Sequence, residues 1–160
     1  MRLTHLADYA VVILTAAASR PAGDRLSASA LAADTGLPLP TTQKVVGKLT
    51  AAGLLTATRG IGGGVAFARA PATITLADIV EAVEGPIAMT QCSGSDEASD
   101  CALDAHCRVK PHMSLVSRTV RNALAGVTLE DLCSPANAGA QSLPSSVKEN
   151  WIPAYAGEHA

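Results

Sequence analysis

Aromatic side chains are nearly missing from this chain: one Trp, two Tyr and one Phe in 160 residues. Because 48% of the residues are hydrophobic all the same, the interior has to be assembled from Ala, Leu and Val. That composition points to packed helices and away from a β-sandwich. Long apolar runs are missing too. The amino-terminal stretch L-A-D-Y-A-V-V-I-L-T-A-A-A-S-R turns polar too soon to span a bilayer and lacks the basic leader of a signal peptide. A soluble, cytoplasmic protein with no membrane partner is expected. In a reducing cytosol its four cysteines do not suggest a disulfide framework, which leaves metal or redox chemistry. There is no internal repeat, no phosphate loop in a strand-then-helix context, and no nucleophile beside a base in a local signature. An enzyme is therefore not expected, and His5 and His159 read as surface residues.

Excess charge is lacking as well, since the formal net charge is −2. The sum conceals a partition along the chain. Residues 1–69 carry seven Lys/Arg against three Asp/Glu, whereas residues 77–107 carry none against seven. A local positive surface attracts phosphates over a Debye length whatever distant charges do.

Helical periodicity accounts for most of what is present. Leu6, Ala10, Ile13, Leu14 and Ala17 recur at helical spacing from Thr4 to about Ser19, and Pro21 and Gly23 stop the run. Ser27 is an N-cap for a short second helix that Gly36 ends. After the connector G-L-P-L-P, a third helix is expected to start at Thr41 or Thr42, burying Val45, Val46, Leu49 and Ala52. L-L-T-A-T-R, G-I-G-G-G and V-A-F-A then read as two short strands joined by a glycine tip. Thr75 with Asp78 resembles a capping box for a fourth helix. Further on, Met113, Val116, Val120, Ala123 and Val127 make a heptad-like seam, either a core face or a dimer face. The fold expected is mainly α with a small β-hairpin: a winged helix–turn–helix over residues 1–85, a cysteine loop over 86–110, a long dimerisation helix over 111–133 and a flexible tail over 134–160.

A recognition helix offers its first turns to base edges, so Thr41, Thr42, Gln43 and Lys44 are the candidate readers of double-stranded DNA, with Lys48 on phosphate or guanine. A polar helix face taken alone is more often merely solvated. The wing tilts the balance: Arg59 precedes Gly60, Gly62 and Gly63, whose bare backbone can approach a phosphate or a minor groove closely.

Cys92, Cys101 and Cys107 form C-x8-C-x5-C, wider than the short pairs that grip structural zinc and suited to an iron–sulfur cluster. A fourth ligand has to be His106, His112, Asp8, an acidic residue of the loop or a small molecule. Cys133, beyond the long helix, reads as a partly buried free thiol.

These stretches together resemble the bacterial winged-helix iron–sulfur regulators typified by IscR, NsrR and the regulator of the SUF assembly system. The matching segments are M-R-L-T-x-x-x-D-Y-A, A-x-x-T-G-L-P, V-V-x-K-L-x-x-A-G-L-L, R-G-x-G-G-G, I-T-L-A-D-I-V-E-A-V-E-G, the three cysteines and A-L-A-G-V-T-L-E-D-L. The resemblance covers roughly residues 1–133 and is closest to the SUF-system regulators. It implies a homodimer with crossed long helices, each cluster (2Fe–2S, or else 4Fe–4S) held by Cys92, Cys101 and Cys107 with Asp8 contributed by the other subunit. In IscR-like members the fourth ligand is instead a histidine three residues after the third cysteine, a position held here by Lys110. The function so implied is a repressor of iron–sulfur assembly genes that senses cluster status. A nitric-oxide or redox-sensing repressor is the alternative within the family, and a small iron–sulfur or metal carrier the alternative outside it.

Overall fold

Thr4 opens the first helix by accepting the Leu6 and Ala7 amides on its hydroxyl. Ala7, Ala10, Ile13, Leu14 and Ala17 then fall on one buried face at the 3.6-residue period. The computed structural model describes residues 4–21, 26–58, 60, 63–90 and 107–134. Within them the order is α1 (His5–Ala18), α2 (Ala28–Thr35), α3 (Leu39–Ala51), β1 (Leu55–Thr58), β2 (Gly64–Phe67), a 3-10 turn (Pro71–Thr73), α4 (Leu76–Glu84), α5 (Lys110–Ala125) and α6 (Leu129–Cys133). The expectation of a mainly helical winged helix–turn–helix holds. No helix among the described residues is long and apolar enough to cross a membrane.

Helix α1 is the hub, packing on α2, α3, α4 and α6. Its partners meet it with Leu31, Leu49, Ile79 and Leu129, all fully buried, so aliphatic side chains do supply the interior. At about 1.5–3 kcal/mol for each such side chain taken out of water, this layer outweighs every surface contact described below. Thr15 and Ser19 turn their hydroxyls back onto Val11 and Thr15 carbonyls, closing the far end of α1.

One departure from the sequence reading bears on function. Helix α3 begins at Leu39, ahead of the expected caps Thr41 and Thr42, with Pro38 as N-cap and Pro40 in its first turn. A helix tolerates proline there because the amides of its opening turn have no partner inside the helix. The last described part of the chain holds two helices. Gly126 ends α5, and Thr128 then caps α6, whose Leu129 is buried against the body of the domain.

Candidate nucleic-acid interface

The turn between α2 and α3 depends on Gly36, whose φ of 69° lies in the left-handed region that a side chain disfavours. The turn delivers α3 with Thr42, Val45, Val46 and Leu49 facing inward. Leu39, Pro40, Gln43, Lys44 and Gly47 lie exposed, and Thr41 is half-buried. Positions 39, 43 and 47 are four apart and positions 40 and 44 likewise, so the exposed residues form one outward stripe.

The structure separates the candidate readers on this helix. Gln43 and Lys44 stand on the outward stripe. Thr42 does not: it is fully buried, and its hydroxyl donates to the Pro38 carbonyl at 3.2 Å. Starting the helix at Leu39 rotates position 42 onto the core face, which explains the difference. Lys48 is also engaged inside the molecule, its ammonium donating to the Val83 carbonyl in the last turn of α4. A cation on the carbonyl end of a helix is favoured by the helix dipole and satisfies an acceptor the helix leaves open.

The wing is an antiparallel pair in the register Leu55↔Phe67, Thr56↔Ala66, Ala57↔Val65 and Thr58↔Gly64. Leu26 extends it by a bridge to Val65, exchanging hydrogen bonds of 2.9 and 2.7 Å, a contribution that no sequence period announces. At the tip the Gly63 amide donates to the Gly60 carbonyl at 2.8 Å, and Gly60 has a φ of 103°. Arg59 and Gly62 lie outside the described residues.

Past the wing, Arg69 pairs with Asp78 at 2.9 Å and donates to the Thr73 carbonyl at 3.0 Å. Arg20 is paired with Asp34. These two guanidiniums are thereby committed within the domain, whereas Lys44 projects from the outward stripe.

Of the expected cluster ligands, Cys92 and Cys101 fall outside the described residues. Cys107 is half-buried, two residues ahead of Val109, the N-cap of α5. Asp8 is exposed in the first turn of α1. Among the described residues no three His, Cys, Asp or Glu side chains gather into a metal-binding group. Cys133 is exposed at the end of α6, where partial burial of the sulfur and then the nearby Glu130 carboxylate push its thiol up.

The end of α4, from which residues 86–106 depart, is held on three sides. The Thr4 hydroxyl donates to Glu84, Lys48 reaches Val83, and Arg121 of α5 forks onto Glu81 at 2.9 and 3.1 Å. Just beyond, the Met89 amide donates to the buried Ser117 hydroxyl at 2.9 Å.

A family model described as Rrf2, iron-dependent transcriptional regulator, matches residues 3–135. Among solved structures, the global cysteine regulator CymR of B. subtilis is 25% identical over 83% of this chain and 96% of its own, with a TM-score of 0.61. IscR of T. potens is 22% identical over 92% of this chain and 96% of its own, with a TM-score of 0.61. The oxidized form of Staphylococcus aureus CymR is 21% identical over 84% of this chain and 97% of its own, with a TM-score of 0.59. The latter two share the fold.

Proposed function

Because this chain belongs to the Rrf2 family of transcriptional regulators, we propose that it is a cytoplasmic homodimeric repressor of iron–sulfur assembly genes that senses cluster status. The family are DNA-binding regulators and not enzymes, which sets the carrier reading aside. The outward stripe of α3 beside a glycine-tipped wing carries the DNA half of the proposal. Gln43 has the amide to meet adenine and Lys44 the charge to meet phosphate or guanine, with the wing's Arg59, Gly60, Gly62 and Gly63 flanking the groove. Thr41 remains available at the edge of the stripe.

The sensing half is supported by the family's iron dependence and by donor chemistry. Three thiols within one segment suit an iron–sulfur cluster, and Cys107 sits just ahead of the α5 amino terminus. Cys92, Cys101 and Cys107 would hold the cluster, of the 2Fe–2S type, with Asp8 of the partner subunit completing the set. When bound, the cluster supplies a group sensitive to oxidants, nitric oxide and iron supply. The chain's own part is to pass the order of that segment to α3 through the contacts Lys48, Thr4 and Arg121 make on α4, setting two recognition helices ~34 Å apart for successive half-sites.

Protein prepared without oxygen tests this directly. Visible absorbance with bound iron and sulfide is expected, lost in Cys101→Ala while the fold persists, together with a change in duplex affinity when the cluster is removed. Colourless wild-type protein whose duplex affinity ignores iron and sulfide would sink the sensing half alone. The similarity to the global cysteine regulator of B. subtilis favours one second reading, a regulator tied to cysteine and not to a cluster; it predicts that same colourless, DNA-binding outcome.

A further inference from the structure

The tip of α3 is apolar where a DNA-reading helix usually offers polar groups. Pro38, Leu39 and Pro40 are all exposed, Leu39 at 39%, and they occupy the N-cap and the first two helical positions. Proline has no backbone N–H, so of the four positions from Pro38 to Thr41 only Leu39 and Thr41 keep one for a phosphate. Leu39 and Pro40 stand one turn before Gln43 and Lys44 on the same outward stripe. In the major groove the one apolar group on any base edge is the thymine 5-methyl.

We propose that Leu39 and Pro40 read thymine 5-methyl groups, so that the operator of this protein carries thymines next to the position that Gln43 contacts. The inference rests on α3 being the DNA-reading helix. It extends that reading from hydrogen bonds to apolar contact, which neither Gln43 nor Lys44 can supply. Leu39 is exposed at the start of its helix and lies outside the hydrophobic core, so it can be altered without disturbing that core.

The test uses the full chain, prepared without oxygen, to select bound duplexes from a random-sequence pool. Affinity for the selected duplex is then compared with copies in which each thymine is replaced by uracil, which removes only the methyl. Wild type is expected to lose about fourfold at one or two positions, the effect of leaving one methylene-sized group in water. Leu39→Ala and Pro40→Ala should bind the thymine duplex more weakly and lose little on uracil replacement, and Leu39→Ala, which neither adds nor removes an N–H or a charge, should leave the salt dependence of binding unchanged. Indifference of wild type to uracil overturns the inference and leaves the DNA-reading assignment standing. The same loss in wild type and in both variants also overturns it, because another residue then reads the methyl. Failure to enrich any duplex overturns the DNA-reading assignment and this inference together.

Discussion

Thr75 and Thr128 face each other across an antiparallel bridge, with the Leu76 amide 2.8 Å from the Val127 carbonyl and the Leu129 amide 2.7 Å from the Ile74 carbonyl. Each threonine also opens its own helix through a reciprocal capping box, Thr75 with Asp78 for α4 and Thr128 with Asp131 for α6. One backbone bridge thus fixes two helix starts side by side, and it fastens the end of the chain's described part to the helix that leads into the cysteine segment. Removing a threonine cap commonly costs about 1 kcal/mol. Thr128→Ala is expected to lower the unfolding free energy by about that much at unchanged denaturant slope. Thr75→Ala should cost at least as much, since its partner Asp78 also holds Arg69. Urea unfolding of the two variants checks both.

Acid should loosen the same bridge. Burial alone would push the Asp78 carboxyl up, but the Thr75 amide and hydroxyl and the Arg69 guanidinium hold it below its ordinary 3.8. The Thr128 hydroxyl and then its amide hold Asp131 below 3.8 as well. A carboxyl lowered in the folded state contributes stability that is full above the unfolded value and lost as pH falls through the folded one. Stability should therefore be level near neutrality and decline below about pH 4. The double variant Asp78→Asn, Asp131→Asn, weaker at neutral pH, should decline less steeply; equal slopes in a pH series of urea titrations would remove these boxes as the cause.

Two lysines on α3 should behave differently although one turn separates them. Lys44 projects outward, so Lys44→Ala is expected to weaken duplex binding and reduce the salt slope of log K by about one. Lys48 is bound to the Val83 carbonyl, so Lys48→Met should leave the salt slope alone and instead lower stability by about 1 kcal/mol, the size of a partly exposed charged hydrogen bond. Titration at several salt concentrations, paired with chemical denaturation, separates the two roles.

Much of this was legible in the sequence, and the misses have local causes. Helical periodicity placed α1, and the Thr-x-x-Asp pattern placed the start of α4, because both signals are short-range. The glycine tip placed the wing for the same reason. The outward side of α3 was misjudged by part of a turn because proline was treated as a barrier, when the first helical turn accepts it. Thr42 was consequently counted among the DNA readers though it is buried. Lys48 looked like any lysine on a polar face; its acceptor lies 35 residues away in sequence, and no spacing rule reports such a contact. Leu26 joining the wing is of the same kind. Cys107 was singled out by spacing, and Cys92 and Cys101 lie outside the described residues.

The seam expected on α5 divides between two faces. Met113, Val120 and Val127 are half-buried, with Ser117 buried between the first two. Leu115 and Val116 are 52% and 41% exposed on the other side, far more open than the interior aliphatics. Helix α5 packs on α4, and under the proposed homodimer these two open side chains are the ones a second copy would cover. Covering the roughly half of each that is still exposed would contribute about 1–1.5 kcal/mol each, enough to change a dimerisation constant roughly 100-fold. Leu115→Glu with Val116→Glu should therefore give monomers at micromolar concentration by analytical ultracentrifugation, with the subunit still folded by circular dichroism. Binding to a two-half-site duplex should fall with the loss of the dimer, while a single half-site is bound as weakly as before. A variant that remains dimeric would show that the subunits meet elsewhere. In that case the spacing of the two recognition helices could not be set through α5, and the contacts joining α5 to α4 at Glu81 and Arg121 would have only a structural role.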